Sequence, residues 1–346
     1  MRDISRRKFV KMAGAALAGA GLIGISGIVS GCGKEQASAL PVDKAATAKS
    51  AAEAKNISKV YFTRQIDAEH LIRLYEKVNA DIRGKVAVKL HTGEPQGPNI
   101  LPRDMVQAFQ AQIPNSTIIE ANVAYGGPRS TTPQHRETLA VNGWTFCPVD
   151  IIDEEGDVNF PVKGGLHLKE VAVGSHLADY DSLVVLTHFK GHAMGGFGGA
   201  LKNMSIGLAS SRGKIWIHTS ASSERFEDVF TADHDSFLES MADADKSVMD
   251  FVGRSRIVYI NVANRLSVDC DCDAHPHDPE MGDIGIFAST DPVSLDQACV
   301  DAVYNSLDTG KAALIERMES RHGIHTVEAA HALGLGSRDY NLVKIG

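Results

Sequence analysis

Apolar positions along this chain keep two alternating rhythms. Short β-branched runs recur at Val60-Tyr61-Phe62, Lys85 to Leu90, Ser116 to Glu120, Ser182 to Leu186 and Ile257 to Val262, and each predicts a buried strand. Asp283 to Ala288 reads as a further one. Between the strands the period lengthens. Leu71, Leu74, Tyr75 and Val78 keep i, i+3, i+4, i+7 spacing, which predicts an amphipathic helix with Asp67 as its N-cap. A second helix is expected from Pro102, since proline suits a first turn, and a third from Asp235 to Val252. Asp291-Pro292 opens another, with Leu295, Ala298, Cys299 and Ala302 on one face, and two closing helices are capped at Gly323 and Gly334. The alternation predicts an α/β fold, a mostly parallel sheet flanked by helices, for residues 57–346. It breaks between about 150 and 175, where Asp157 to Val162 alternates like one arm of an edge hairpin and predicts a small insertion.

The N-terminus follows neither rhythm. Ser5-Arg6-Arg7-Lys8-Phe9-Val10-Lys11 matches the twin-arginine export signal, and a weakly hydrophobic Gly/Ala-rich segment runs on to Gly31. Val29-Ser30-Gly31-Cys32 resembles a bacterial lipoprotein box, which implies lipidation of Cys32 and cleavage before it. Residues 1–31 are thus expected to be a signal peptide, and the Ala/Ser/Lys-rich residues 32–56 a flexible tether. The expected location is the outer face of the cytoplasmic membrane, held by the lipid, or the periplasm. Charge supports a separation of roles. The chain of 346 residues carries −8, but residues 1–31 carry +4, so the remainder carries −12. That balance argues against a nucleic-acid partner, whose phosphates it would repel.

The densest chemistry lies between Thr187 and Asn203, directly after a predicted strand. His188, Lys190, His192 and Lys202 stand there among Gly191, Gly195, Gly196, Gly198 and Gly199. Leu201, Met204 and Leu208 then take helical spacing, so the expectation is strand, glycine loop, helix. The carboxyl edge of such a sheet is where ligands bind, and glycine amides at a helix N-terminus suit an anion. The stretch is neither a Walker A loop nor a clean GxGxxG. The predicted cofactor contacts are Lys190, the four glycines Gly195, Gly196, Gly198 and Gly199, then Lys202 and Asn203, joined by Arg129 from Tyr125-Gly126-Gly127-Pro128-Arg129. His188, His192, His91 and Glu94 are the acid–base candidates, the last two in a turn directly after a strand. The expected guest is a small anionic ligand or cofactor.

Asp269-Cys270-Asp271-Cys272-Asp273-Ala274-His275-Pro276-His277 is the second cluster. In an extended chain Cys270 and Cys272 face one way, and His275 with His277 would complete an S2N2 metal set. A disulfide competes, with Cys147 able to pair with either thiol, as does a solvated acidic loop. Without a C-x2-C-x2-C run a ferredoxin-type cluster is not expected, and Cys299 reads as a core residue. His218, His234, His322 and His331 read as solvated or structurally satisfied.

Several blocks together resemble a known family. Lys89 to Glu94, His188-Phe189-Lys190-Gly191-His192 with its continuation, Ser267 to Cys272, and Ile284 to Cys299 are similar to the uncharacterised iron–sulfur-centre protein family, a domain of unknown function numbered three-six-two. The resemblance implies an α/β fold and a redox role, although the family's ferredoxin-like cysteine module is missing here. A local resemblance to the nickel-pincer lactate racemase family rests on His192, Gly196-Phe197-Gly198-Gly199 and Lys202. It implies that His192 shuttles a proton and Lys202 tethers the cofactor. The expected function is a cofactor- or metal-binding redox protein. The alternatives are a racemase or epimerase of a small hydroxy acid, and a non-catalytic solute- or metal-binding lipoprotein; whether the chain is an enzyme stays open.

Overall fold

A computed structural model describes residues 57–346, all of them within one compact unit, Ala51–Gly346. The export signal, the tether and Cys32 lie outside the described residues. The strands are β1 (Ser58–Thr63), β2 (Val86–Lys89), β3 (Ser116–Glu120), β4 (Val149–Ile151), β5 (Asp157–Pro161), β6 (Glu170–Gly174), β7 (Ser182–His188), β8 (Lys190–His192), β9 (Gly196–Gly198), β10 (Ile257–Ala263), β11 (Gly285–Ser289) and β12 (Tyr340–Lys344). The α-helices are α1 (Ala68–Tyr75), α2 (Arg103–Ala111), α3 (Thr132–Val141), α4 (Ala200–Leu208), α5 (Ser211–His218), α6 (His234–Val252), α7 (Pro292–Tyr304), α8 (Lys311–Ser320) and α9 (His325–Ala332). None of these helices is long and apolar enough to cross a membrane.

Eight strands form one sheet in the order β12-β1-β11-β10-β7-β2-β3-β4. Only β11 runs against the others, antiparallel to both β10 and β1, so the expected mostly parallel α/β sheet is the observed one. The pleat sends alternate residues to opposite faces. Val86, Val88, Val184, Leu186, Val258 and Ile260 pack with Leu71, Leu74 and Phe109 of α1 and α2. Ala87, Leu183, Val185, Ile257 and Tyr259 face the other layer, with Met204, Phe237, Met241 and Cys299. Strands buried on both faces read as continuous apolar runs, and this is why the periodicity located them.

The caps follow side-chain chemistry. Asp67 accepts from the amide of His70 at the start of α1, and Asp291 from that of Ser294 at α7. Gly334 takes φ +69° beyond α9, as a helix-ending glycine should. At α8 the left-handed residue is His322 (φ 48°), while Gly323 donates its amide to Met318 and stays small because a Cβ there would meet Gly195 and Gly196. The expectation of a glycine cap at 323 was therefore off by one residue. The short edge strand β12 went unpredicted, because Tyr340–Lys344 is mostly exposed and lacks a buried face.

The insertion is a separate two-stranded ribbon, β5 antiparallel to β6. Its tip is held from outside. Asp243, fully buried on α6, accepts the amides of Leu166, His167 and Leu168 at 2.7–2.8 Å. Asp243→Ala leaves three amides without their acceptor and should lower unfolding stability by about 2–4 kcal/mol. Hydrogen exchange then accelerates over residues 162–169 before the rest of the chain; uniform acceleration would show that the ribbon is not pinned locally.

Candidate functional site

The carboxyl ends of β2, β3, β7 and β10 open on one edge of the sheet, and the loop from β10 to β11 folds back across that edge. Asp271 fixes the loop. Its carboxylate meets His188 Nδ1 at 2.8 Å and Lys190 Nζ at 3.1 Å, while its backbone carbonyl accepts the amide of Glu94 at 2.9 Å. One residue therefore ties the β10 loop to the ends of β7, β8 and β2. The other ring nitrogen of His188 donates to the carbonyl of Asn264. Gly191 presses the loop still closer: its amide donates to Ser267, and a Cβ on it would lie 2.3 Å from the carbonyl of Val268. That close approach requires glycine.

So held, the loop presents two thiols to two imidazoles from distant parts of the chain. Cys270 Sγ lies 4.0 Å from His91 Nε2, and Cys272 Sγ lies 3.9 Å from His192 Nε2. One nitrogen of His192 and both sulfur atoms fall within 4.8 Å of one another, a group that could hold a metal ion. Both rings are oriented from behind. Gly93 donates its amide to His91 Nδ1, and Met194 and Gly195 donate theirs to His192 Nδ1 at 3.1 and 2.9 Å. An Nδ1 that accepts leaves the neutral ring's hydrogen on Nε2, so each imidazole turns an N–H toward sulfur. A metal-ligating histidine has the opposite arrangement, donating from its second nitrogen and offering a lone pair to the metal. The two thiols fit a soft metal; the two rings, as oriented, fit as hydrogen-bond donors to sulfur.

Charge in the site is dense and compensated. The hydrogen bond from Cys272 holds the Cys270 thiol well below its ordinary range against the cost of burial, with help from Lys190 and His91. Donating that bond, and its own burial, push Cys272 upward. Burial opposes the charge on Asp271, but His188 and Lys190 more than offset it and hold the carboxyl below its usual range. Lys190 is raised in turn: burial works against it, and Asp271 and Cys270 prevail. Burial, reinforced by Lys202, keeps His192 neutral far below its ordinary value, and burial lowers His91 too. Behind them lies a second ionic layer. Lys89 meets Glu120 at 2.7 Å, and Arg129 meets Glu94 at 3.1 Å and Glu120 at 3.8 Å, all nearly inaccessible.

Several predicted contacts are spent inside the protein. Arg129 is engaged by Glu94, Glu120 and Tyr125, and Glu94 accepts from Arg129 and Tyr125. Asn203 donates to Leu186 and Thr187. The glycine stretch is a small hairpin, β8 with β9, rather than an open loop. The N-terminus of α4, offered by the sequence to an anion, already has one: the Asp296 carboxylate accepts the amides of Ala200 and Leu201. A Cβ on Gly199 would strike that carboxylate at 2.4 Å, and one on Gly196 would meet Gly323. The glycines therefore serve internal packing, Gly195 donating to His192 and Gly198 lying against the Lys190 stem. His275 and His277 are not beside the thiols either. Both are exposed, and His277 pairs with Asp269. Cys270, Cys272, Cys147 and Cys299 are all free. Cys299 is buried beside Asn261 and Cys147 packs against the core on the α1–α3 side, so neither joins the pair. Sequence reasoning missed Asp271 as the tie, and Asp296, Lys89 and Glu120 altogether. The signal was charge inside otherwise apolar runs, where a buried ion requires a partner.

The family model described as Domain of unknown function (DUF362) matches residues 86–301. No curated protein matches the chain. Among solved structures, it is similar to the lactate racemase apoprotein from Thermoanaerobacterium thermosaccharolyticum at 11% identity and TM-score 0.40, covering 72% of this chain and 58% of that one. It is also similar to a crystal structure of a Thermotoga maritima protein at 13% identity and TM-score 0.42, covering 70% and 60%. The chain thus spans about three fifths of the length of these two structures. The family description names no iron–sulfur centre.

Acid should act on this site in two windows. Burial depresses His135 to about 3, His218 to about 4 and His192 well below its ordinary value. The unfolded chain therefore binds the extra protons first, and stability falls as pH drops below about 6.5. The depressed Asp271 adds stability that is present above its unfolded pKa of about 3.9 and is lost as pH falls through the lower folded value. Asp271→Asn strands Lys190 and should cost about 3–5 kcal/mol already at neutral pH. Denaturant titrations check both effects; a variant as stable as the parent would show that Asp271 does not hold the loop.

Proposed function

The chain belongs to the DUF362 family, and on that premise we propose that it is a redox protein whose working group is the Cys270–Cys272 dithiol. The carrying observation is the pairing of adjacent thiols with imidazole N–H groups, over the Lys190 ammonium. A thiolate at neutral pH is the nucleophile of thiol–disulfide exchange, and an asymmetric pair separates attack from resolution. In that exchange the Cys270 thiolate attacks one sulfur of an incoming disulfide, breaking its S–S bond and releasing half of it as a thiolate. Cys272 then attacks the Cys270 sulfur of the mixed disulfide, and the second half leaves with the proton of Cys272. Two electrons have passed from the dithiol to the incoming disulfide. Cys270 is only 4% exposed, so the incoming molecule must be small.

The reading includes export and a lipid anchor at Cys32, which rest on the sequence signals and place the dithiol in a disulfide-permissive compartment. A second reading has its own support, the 4.8 Å grouping of Cys270, Cys272 and His192. In it a soft divalent ion sits on the two thiolates, and at least His91 remains a hydrogen-bond donor to sulfur. The racemase alternative is weaker. It asks His192 to take a proton, but the ring's lone pair already receives two amides at Nδ1.

Oxidation by a small disulfide, followed by intact mass, separates these. Wild-type protein should end two hydrogens lighter, with no adduct. Cys272→Ser should stop at the mixed disulfide, and Cys270→Ser should show neither product. A metal-free wild-type chain that resists oxidation would overturn the dithiol reading; resistance together with a stoichiometric, thiol-bound metal favours the second one.

A further inference from the structure

Two histidines assigned no chemistry above meet beside the N-terminal half of α6. His322, in the left-handed turn after α8, stacks on His325 at the start of α9, with ring centroids 4.7 Å apart and planes 17° apart. One nitrogen of each ring and one oxygen of Glu328 lie within 4.8 Å of one another. Both rings are backed by carboxylates from α6. His322 Nδ1 meets Asp235 Oδ1 at 2.8 Å, and His325 Nε2 meets Glu239 Oε1 at 2.9 Å. This leaves His322 its Nε2, and leaves His325 its Nδ1, 3.6 Å from Glu328 Oε2. Arg338 holds the other Glu328 oxygen at 2.9 Å and so orients the carboxylate.

The geometry points to a metal site here, formed by His322, His325 and Glu328 and selective for a divalent first-row transition ion such as zinc or cobalt. The arrangement has the feature that the thiol site lacks. Each imidazole directs one N–H at a carboxylate, which fixes the tautomer and turns the other nitrogen's lone pair outward. Two imidazoles and one carboxylate form a three-ligand set that leaves positions for water, and imidazole ligation disfavours magnesium and calcium. The ion has access, since the His322 side chain is 49% exposed. Occupancy would join the α8–α9 turn to the first turn of α9, with Asp235 and Glu239 of α6 holding the two rings from behind. The α8–α9 turn leans on the hairpin carrying His192, because Arg321 donates to the carbonyl of Ala193 and Gly323 abuts Gly195 and Gly196.

Cobalt titration of the full chain tests this site independently of the dithiol. Cys270→Ser/Cys272→Ser protein, stripped of metal, is titrated at neutral pH by calorimetry and visible absorption. The expected result is one equivalent of cobalt without the sulfur charge-transfer band that thiolates would give. Binding should vanish in His322→Ala/His325→Ala, and should weaken about 10-fold or more in Asp235→Asn, whose carboxylate backs His322, and in Glu239→Gln, whose carboxylate backs His325 and also meets His167. Glu328→Gln, the mildest ligand change, guards against an unfolded double variant and should also weaken binding. Absence of cobalt binding, or equal affinity in the His322→Ala/His325→Ala protein, would overturn the proposal.

Discussion

The Asp271 carboxylate, shared between His188 and Lys190, is the contact on which the rest of the site depends. Three buried ionisable groups from two distant segments would each be costly alone. Together they satisfy one another and fix where the β10–β11 loop lands. The two cysteines flank Asp271 in sequence, so fixing that side chain also fixes both thiols. Lys190 serves twice, holding Asp271 and lowering the cost of a thiolate at Cys270. The ionic layer of Lys89, Glu120, Arg129 and Glu94 lies beneath, and Lys190 is the cation that acts most strongly on Cys270.

The architecture was legible because the central strands are buried on both faces and helices such as α1 and α6 carry an apolar stripe, which α3 and α5 lack. The site was legible only in part. His91, His188, Lys190, His192, Cys270 and Cys272 stood out as chemistry at strand ends, and the structure brings them to one edge. Which histidines face the thiols was not readable. His275 and His277 are near Cys272 in sequence, but proline between them and the Asp269 pairing turn them to solvent, while His91 and His192 arrive through the parallel register of β2 and β7. That register is a long-range property, and one sequence does not state it.

The glycine stretch teaches a second lesson. Glycine-rich chain before a helix suggests an anion cradle, and the helix N-terminus does bind an anion here, one supplied by the protein itself. Asp296 fills the place that a phosphate would take, and Gly199 is bare because of that carboxylate. Gly191 and Gly196 likewise admit backbone from the 268 and 323 loops. A glycine pattern reports close approach; what approaches has to come from the fold.

The state of Cys270 is read from the ultraviolet absorbance of thiolate as a function of pH, in the reduced, metal-free chain and in its Cys270→Ser and Cys272→Ala variants. One thiolate is expected at neutral pH; it persists well below the ordinary thiol range, disappears in Cys270→Ser, and titrates nearer the ordinary value in Cys272→Ala, which removes the S–H that donates to Cys270. Absence of thiolate at neutral pH in the wild-type chain, or the same curve in all three proteins, would contradict it.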